Sequence, residues 1–509
     1  MYIAFLNPQG NFDPKDSYWT QHPDFGGQLV YVKELALAMA ELGHRVDILT
    51  RRIVDPDWPE FGSFLDGYPG VEGVRIIRID CGPDRFLPKE QLWPYLRTEW
   101  VPNILSFFHA EGKLPDAFTA HYADGGLAGV LLAQGTGVPF TFTAHSLGAQ
   151  KMDKLDVTPE NMADVDARFH FTRRIFAERL SMNGAGCIIT STRQERVEQY
   201  AHPAYRGAVD PRDDGRFAVI PPGVNRRVFS PEPSHPYQDD DLLVQKRIQA
   251  ALERDIAAGR RELPLVVCSS RLDPKKNHVG LVQAFAQSQA LQASANLGIV
   301  VRGLEDPLRD YDALSPAESQ VMGEIVDILN TGDLWGKVTA FPLNSQAELA
   351  AAYRHLAGRR SVFALTALYE PFGLAPLEAM SCGLPAVVTR NGGPSESLRE
   401  EDREFGVLVD PGDPTDVARG LLRVLASPGA WEHFHHAGMA RVLNRYTWAR
   451  TAEGYLDVIQ GLIRSPVSHG RLPADAAPSE WRHPLPAYFT HPGPENEIPL
   501  EDLVALYFV

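Results

Sequence analysis

The sequence predicts an α/β protein built from two doubly wound, Rossmann-like domains. Short apolar runs that are typical of buried strands alternate with amphipathic helical stretches along most of the 509 residues. Polar and glycine-containing segments follow these strands, where parallel sheets gather their ligand-binding loops. A stretch rich in proline and aspartate, residues 230–240, separates the two series and is predicted to be the linker.

The first domain is predicted to cover residues 1–230 and opens with a βαβ unit. The strand Tyr2–Leu6 precedes a helix over residues 29–42, whose apolar side chains recur at helical spacing. The Gly26-Gly27 pair before this helix could offer backbone donors to a phosphate, although flexible loops also contain such pairs often. Further predicted strands are Arg45–Thr50, Val74–Ile79, Asp116–Ala120, Pro139–Ala144, Cys187–Ser191 and Phe217–Pro222, with one long helix at Met162–Met182.

The second domain is predicted to cover residues 241–446. Its predicted strands are Leu263–Ser269, Leu297–Val301, Lys337–Phe341, Ser361–Thr366, Ala386–Thr389 and Gly406–Val409. Residues 447–464 have the spacing of an amphipathic helix. Residues 465–509 are rich in proline and histidine and are predicted to be a tail with a short apolar end.

Composition excludes several classes of partner. The net charge of −16 argues against nucleic acid and against an anionic membrane, so an anionic substrate would need a local basic pocket. The four cysteines are scattered without metal-ligand spacing, which favours small buried thiols in a reducing compartment. No signal peptide and no apolar run of membrane-spanning length is present, so we expect a cytoplasmic protein.

The segment Tyr369–Glu378 is the most informative motif. It joins a buried strand to a helix, so Phe372, Gly373 and Leu374 fall at the helix N-terminus, where free amides and the helix dipole attract phosphate. A glycine in such a turn is common and by itself proves little. The two carboxylates that flank it, Glu370 and Glu378, are separated by seven residues, and this spacing is far more specific.

Two other strand ends carry candidate chemistry. Arg271 and Lys276 stand five residues apart after a strand of the second domain, where cations could stabilise a departing diphosphate. A solvated basic turn is the plainer alternative. His145 follows a strand of the first domain among polar neighbours that include Ser146 and Lys151, whereas an isolated histidine is usually structural.

Several motifs in chain order resemble one enzyme family. The residues concerned are Asn7-Pro8-Gln9-Gly10, Phe25-Gly26-Gly27-Gln28-Leu29, His145-Ser146-Leu147-Gly148, Pro221-Pro222-Gly223-Val224, Ser270-Arg271-Leu272-Asp273 with Lys276-Asn277, and the segment Tyr369–Glu378. Together they resemble the retaining GT-B glycosyltransferases of glycosyltransferase family 4, and within it the sucrose-phosphate synthase branch. The resemblance covers about residues 1 to 464. It implies two domains facing each other across a cleft, with the helix at 447–464 crossing back onto the first domain.

The resemblance also implies roles for individual residues. The implied catalytic residues are His145, Arg271, Lys276 and Glu370. The implied donor-binding residues are Gly27, Arg271, Lys276, Arg302, Leu343, Glu370, Phe372, Gly373, Leu374 and Glu378. The implied acceptor-binding residues are Gly27, Gln28, Lys89, Tyr122, Ser146, Lys151, Arg173 and Arg174. Such enzymes require no cofactor, and neither a metal site nor Mg²⁺ is expected to be essential.

The implied reaction moves glucose from UDP-glucose to fructose 6-phosphate with retention and gives sucrose 6-phosphate. Alternatives left open are a mannosylfructose-phosphate synthase that uses GDP-mannose, a sucrose synthase, and a non-catalytic GT-B module that binds a nucleotide sugar. No Asp-x-Asp-x-Thr phosphatase signature occurs in the sequence, so the phosphate is expected to stay on the product. A separate sucrose-phosphate phosphatase is then a possible partner.

Overall fold

The computed structural model describes residues 1–9, 11–18, 27–232, 238–465 and 500–508, and it divides the chain into two compact units. The first unit comprises Met1–Pro222 and Trp448–Val509, and the second comprises Gly223–Thr447. The fold class is therefore the predicted one, with a Rossmann-like sheet in each unit. Within the described residues, no helix is both long and apolar enough to cross a membrane.

The first unit is built on an eight-stranded sheet with the order β3-β4-β2-β1-β5-β6-β7-β8. Every pairing is parallel except that of β3 with β4. The order reverses between β1 and β5, so this is the switch point where open α/β sheets bind ligands. The strands are β1 Tyr2–Leu6, β2 Arg45–Arg51, β3 Leu65–Asp66, β4 Val74–Ile79, β5 Ala117–His121, β6 Phe140–Thr143, β7 Cys187–Thr190 and β8 Phe217–Val219.

Helices cover both faces of this sheet, as the uninterrupted burial of its central strands requires. They are α1 Gly27–Glu41, α2 Trp93–Tyr95, α3 Val101–Glu111, α4 Tyr122–Thr136, α5 Gly148–Asp153, α6 Met162–Phe169 and α7 Phe171–Gly184. The single helix predicted at Met162–Met182 is wrong. His170 adopts a left-handed conformation with φ 51° and ends α6. The Asp166 carboxylate then accepts hydrogen bonds from the Thr172 amide and hydroxyl, which starts α7.

The second unit has a six-stranded parallel sheet with the order β11-β10-β9-β12-β13-β16. Its strands are β9 Leu265–Cys268, β10 Asn296–Val301, β11 Val338–Pro342, β12 Val362–Leu365, β13 Ala386–Thr389 and β16 Val407–Val409, with a separate hairpin of β14 Arg399–Glu400 and β15 Arg403–Glu404. Its helices are α8 Gln238–Asp255, α9 His278–Gln287, α10 Gln289–Ser294, α11 Pro316–Thr331, α12 Gln346–Gly358, α13 Leu374–Ser381, α14 Pro394–Ser397, α15 Pro414–Leu425 and α16 Pro428–Arg445.

The boundary between the units lies at residues 222 and 223, earlier than the predicted linker. Val224, Val228 and Phe229 are buried in the core of the second unit, so the segment before the proline-rich stretch belongs to that unit. Hydrophobic burial thus decides the boundary, which falls before the proline-rich stretch. Residues 233–237 of the predicted linker lie outside the described residues.

The chain then returns to the first unit through α17 Trp448–Arg464. The buried Tyr455 hydroxyl lies 2.9 Å from the Tyr31 hydroxyl and 2.6 Å from Thr143 Oγ1, which fixes this helix in the core of the unit. A final helix, α18 Leu500–Tyr507, buries Leu503 in the same unit. Residues 466–499 of the predicted tail lie outside the described residues.

Candidate active site

The switch point of the second sheet lies between β9 and β12, and the predicted donor-site loops follow these two strands. The loop after β9 contains Arg271 and Lys276, and the loop after β12 contains Glu370 and Gly373. Because parallel strands end at one edge of their sheet, the two loops meet there.

An ion pair joins these two loops. The Lys276 ammonium lies 2.6 Å from Glu370 Oε2, and both side chains are largely buried. The Leu368 amide also donates to the Lys275 carbonyl at 2.9 Å, which ties the main chains together. Lys276 and Glu370, which sequence analysis placed in one site, are therefore neighbours in the structure.

The helix after the second loop begins at a glycine that no side chain caps. Gly373, with φ +89°, is the N-cap of α13, and its backbone conformation is one that other residues rarely adopt. A β-carbon here would lie 3.1 Å from Pro394. Pro376, the third residue of α13, has no amide hydrogen, so the donors at this terminus are the amides that precede it. Half-buried Phe372 packs on the core beside Tyr446.

A turn at residues 391–394, to which sequence analysis gave no role in the site, supports this loop. The Glu370 amide donates to the Asn391 carbonyl at 3.1 Å, and the Gly393 amide donates to the Glu370 carbonyl at 3.0 Å. The main chain of Gly392 runs so close to Glu370 that a β-carbon would lie under 3.0 Å from its carbonyl oxygen. The signal in the sequence was the Gly-Gly-Pro run itself, which marks a close backbone approach.

Glu378 lies on α13, half-buried, and forms no ion pair or side-chain hydrogen bond within the described ranges. Burial raises the pKa of its carboxyl to about 7. A group that sits close to its titration point at neutral pH and has an open carboxyl is a good candidate for contact with a ligand hydroxyl.

We expect Glu378→Gln to stabilise the ligand-free protein at pH 8 but not at pH 5. The buried carboxyl is protonated in the folded state up to its raised pKa, whereas the unfolded chain loses the proton at the ordinary value. The stability that this group contributes is therefore complete at low pH and is lost as pH rises through about 7. At pH 8 the free energy of unfolding of Glu378→Gln should exceed that of wild type by at most about 3 kcal/mol.

Urea unfolding followed by circular dichroism at the two pH values measures this gain. Replacing the exposed Glu401 by glutamine is the control and should give the same small change at both pH values. An equal change in the free energy of unfolding by Glu378→Gln at pH 5 and pH 8 would contradict the raised pKa of Glu378.

The other predicted donor residues of the second unit lie at the same sheet edge but differ in exposure. Arg271 and Arg302 are exposed and, in the described part of the chain, make no side-chain hydrogen bond or ion pair. Leu374 is partly exposed at the start of α13. Leu343 is only 6% exposed and packs in the core of the unit, so its side chain is unavailable to a ligand.

The first unit has a pocket next to its own switch point. Its wall includes four of the predicted acceptor residues: Lys89, Tyr122, Lys151 and Arg174. The other residues of the wall are Gln9, Glu90, Trp93, Ala123, Asp124 and Phe169. Three cations thus meet in one cavity of an acidic protein, which is the arrangement that an anionic small molecule requires.

Arg174 is held by a buried carboxylate. Its Nε donates to Glu178 Oε1 at 2.9 Å, and one terminal nitrogen donates to the Ser146 carbonyl at 2.8 Å and to its hydroxyl at 3.1 Å. Glu178 also accepts from the Gly148 amide and from the Tyr205 hydroxyl. Sequence analysis gave Glu178 no role, although its four-residue separation from Arg174 on a helix was a usable signal.

Arg173 is not part of the wall of this pocket, and its contact with the acceptor stays a prediction. The residue is 8% exposed, and of the two arginines only Arg174 belongs to the wall. Consecutive residues of an α-helix point about 100° apart, so the two side chains leave α7 in different directions. Lys151 stays on the pocket side, with its ammonium 4.3 Å from the centre of the Phe169 ring.

His145, which is partly exposed, ends a hydrogen-bonded series that runs inward through buried His121 and Thr119. Its Nε2 lies 2.9 Å from His121 Nδ1, and His121 Nε2 lies 2.9 Å from Thr119 Oγ1. Burial lowers the pKa of His145 to about 3, so its ring is neutral at physiological pH. His145 and Tyr122 both have positive φ, at 57° and 62°. Strain of this kind at bulky residues is concentrated at functional sites.

The two remaining predicted residues lie at the start of α1. Gly27 is its first residue and is exposed, and Gln28 Nε2 donates to Asn7 Oδ1 in the loop after β1. Neither belongs to the wall of the cationic pocket. Gly26 lies outside the described residues. Their contacts with substrates stay predictions.

Comparison with known proteins identifies both units. Residues 26–223 match the family profile of the glycosyl transferase 4-like domain, and residues 252–440 match that of glycosyl transferases group 1. Among solved structures, sucrose-phosphate synthase from Thermosynechococcus elongatus is similar with TM-score 0.61 and 26% identity, over 91% of this chain and 99% of that one. The catalytic domain of starch synthase IV from Arabidopsis thaliana, at 14% identity and TM-score 0.59 over 91% of this chain and 100% of that one, shares the fold.

Comparison with curated relatives shows which family of glycosyltransferases the chain belongs to. A probable sucrose-phosphate synthase of Thermosipho melanesiensis is 42% identical over 90% of this chain and 96% of its own length. The sucrose-phosphate synthase of Zea mays is 33% identical over 94% of this chain, which spans about half of that longer protein. Because the bacterial relative is matched almost from end to end, the chain belongs to the sucrose-phosphate synthase family of GT-B glycosyltransferases.

Proposed function

We propose that the protein transfers glucose from UDP-glucose to fructose 6-phosphate with retention of configuration and releases sucrose 6-phosphate and UDP. The observation that carries this proposal is the meeting of Lys89, Lys151 and Arg174 in one pocket of the first unit. A neutral fructose would need no such cations, whereas a phosphorylated ketose does. The names of the relatives support the same acceptor.

The second unit is proposed to bind the nucleotide sugar. Lys276 and the exposed Arg271 would neutralise the diphosphate, and the uncapped N-terminus at Gly373 would add amide donors. Glu370, already held by Lys276, would accept from hydroxyls of the transferred sugar. Glu378 would accept from the ribose.

The proposed transfer needs no side-chain base. The bond between glucose C1 and the diphosphate breaks, the ketose hydroxyl oxygen bonds to C1 on the same face, and its proton passes to the departing phosphate oxygen. The lowered pKa of His145 supports a role as a neutral hydrogen-bonding partner of the donor sugar, since a ring with a pKa of about 3 carries no charge at pH 7. Among the described residues, no group of three or more His, Cys, Asp or Glu side chains could hold a metal ion. Independence from metal is a prediction of this scheme.

A substrate matrix tests the proposal. UDP-glucose, ADP-glucose and GDP-mannose are each combined with fructose and with fructose 6-phosphate, with and without EDTA, and nucleotide release is measured. We expect release with UDP-glucose and fructose 6-phosphate, unaffected by EDTA. Release with fructose that the phosphate does not improve would refute the acceptor. A preference for GDP-mannose would favour a mannosylfructose-phosphate synthase, and no release in any combination would favour a non-catalytic module.

Lys151→Ala is expected to raise the acceptor KM by about ten- to one-hundredfold and to leave the donor KM unchanged. The reason is the loss of one charged hydrogen bond to the acceptor phosphate, an interaction of about 1.5–3 kcal/mol. Initial rates over a range of fructose 6-phosphate concentrations measure the change. Lys154→Ala, which removes an exposed lysine just after α5, is the matched control. An unchanged acceptor KM in Lys151→Ala would remove the pocket from the acceptor site.

A further inference from the structure

Asp124 has an unexplained carboxylate oxygen in the wall of the cationic pocket. The residue is 4% exposed, and its Oδ1 accepts a hydrogen bond from the Gly125 amide at 2.9 Å, in the first turn of α4. Its Oδ2 is buried and has no hydrogen-bond partner within the described residues. Burial raises the pKa of the carboxyl, and the nearby Gln9 side chain offsets a small part of that rise, yet Gln9 makes no hydrogen bond of normal geometry to Oδ2.

A role in capping the helix does not explain this oxygen. Oδ1 alone satisfies the amide in the first turn of α4, so Oδ2 is free to serve another purpose. A buried carboxylate oxygen without a donor costs free energy, and native proteins rarely leave one without a function. Since Asp124 belongs to the wall of the pocket, a donor that arrives with the ligand is the direct explanation.

We propose that Asp124 is a specificity-determining residue of the acceptor site, whose Oδ2 accepts a hydrogen bond from a hydroxyl group of the phosphorylated ketose. The inference rests on the proposed function, because it takes that ketose to be the occupant of the pocket. This contact distinguishes a sugar phosphate from a simple phosphate. The cations bind the phosphate group, whereas Asp124 binds a hydroxyl of the sugar.

Charge indicates which part of the acceptor meets Asp124. A carboxylate repels the phosphate, which the cations Lys89, Lys151 and Arg174 attract. Nearby Lys89 favours the ionised form of Asp124, and an ionised carboxylate is purely an acceptor. A sugar hydroxyl is a donor of matching polarity, so the phosphate and the ketose hydroxyls should occupy different sides of the pocket.

The pH dependence provides an independent signature. Burial raises the pKa of Asp124 to about 6, so the accepting form is lost as pH falls through that value. The titratable and charged groups in the same wall are Lys89, Glu90, Tyr122, Lys151 and Arg174. The acceptor phosphate also gains a proton with a pKa of about 6, so wild-type data alone would mix the two effects. A variant that lacks the carboxyl separates them.

The test compares wild type with Asp124→Asn in the full chain, by the acceptor KM for fructose 6-phosphate at pH 5.5 and pH 8. At pH 8 we expect the KM of the variant to be about ten- to one-hundredfold higher, the effect of losing a hydrogen bond to a charged group. The ratio between variant and wild type should shrink at pH 5.5, where the wild-type carboxyl is protonated. The donor KM should not change.

Glu90→Gln is the matched control for charge. It removes another carboxylate from the same wall, and if charge alone mattered, both variants should lower the acceptor KM by reducing repulsion of the phosphate. A KM that rises in Asp124→Asn but not in Glu90→Gln supports the contact. An unchanged or lower KM in Asp124→Asn overturns it.

Deoxy acceptors keep the proposal testable if Asp124→Asn folds poorly. Fructose 6-phosphates that each lack one hydroxyl are assayed with the wild-type enzyme at both pH values. For the analogue that lacks the hydroxyl bound by Asp124, the KM should exceed that of fructose 6-phosphate at pH 8, and this difference should shrink at pH 5.5. If the KM ratio of every analogue to fructose 6-phosphate is independent of pH, the inference is overturned. If the wild-type enzyme does not use fructose 6-phosphate at all, both the proposed function and the inference about Asp124 fail. If the wild-type enzyme uses fructose 6-phosphate but neither Asp124→Asn nor the deoxy analogues change the KM as described, only the inference about Asp124 fails.

Discussion

Arg271→Ala is expected to lower kcat by about 10²–10³ while changing the acceptor KM little. The exposed guanidinium stands at the switch point of the second unit, where the diphosphate gains charge as the glycosidic bond breaks. A donor aimed at such developing charge contributes about 3–4 kcal/mol to the transition state. The effect should therefore appear in kcat, since the interaction is stronger in the transition state than in the ground state.

Saturating steady-state assays with UDP-glucose and fructose 6-phosphate measure this loss. Lys275→Ala provides the control, because Lys275 is exposed on the same loop but its side chain has no role in the proposed site. A kcat of Arg271→Ala within a factor of three of wild type would exclude Arg271 from the mechanism. Lysine at this position should restore little, since a point charge cannot reproduce a bidentate phosphate contact.

Gly392→Ala is expected to destabilise the second unit by about 3 kcal/mol and to abolish most turnover. The residue has φ +99°, and a β-carbon would lie under 3.0 Å from the Glu370 carbonyl oxygen. Strain at a left-handed position and overpacking each cost about 1–3 kcal/mol. Relief of the overlap must move the main chain of Glu370, and with it the carboxylate that Lys276 holds.

Thermal unfolding and kcat are measured together for this variant. Gly358→Ala is the control, because Gly358 ends α12 in the same unit and a β-carbon there would meet nothing within 4 Å. That substitution should change the free energy of unfolding by no more than about 1 kcal/mol. Wild-type stability and turnover in Gly392→Ala would show that the close approach at Glu370 is not needed.

The order of strands and helices was predictable because parallel sheets impose long apolar runs and place functional loops at fixed ends. The pairing of Lys276 with Glu370 follows from that rule, as does the meeting of Lys89 and Lys151 in one pocket, although they are far apart in the sequence. Strand-end residues can be assigned to one edge without knowledge of any distance.

Other features depend on contacts that no local pattern records. The break at His170 arises from a carboxylate of the preceding helix, and periodicity does not report on it. Which of Arg173 and Arg174 faces the pocket depends on the rotation of α7, which Glu178 and its partners help to fix. Proline content suggested a boundary near residue 230, but the burial of Val228 and Phe229 sets it earlier.

The assembly of the first unit from both ends of the chain has a consequence for biosynthesis. During translation, every residue of the second unit leaves the ribosome before α17 does, so the second unit can fold first. Until α17 is synthesised, the nascent first unit lacks Tyr455, so the Tyr31 and Thr143 hydroxyls are without this hydrogen-bond partner. Over that interval it is a natural client for a chaperone.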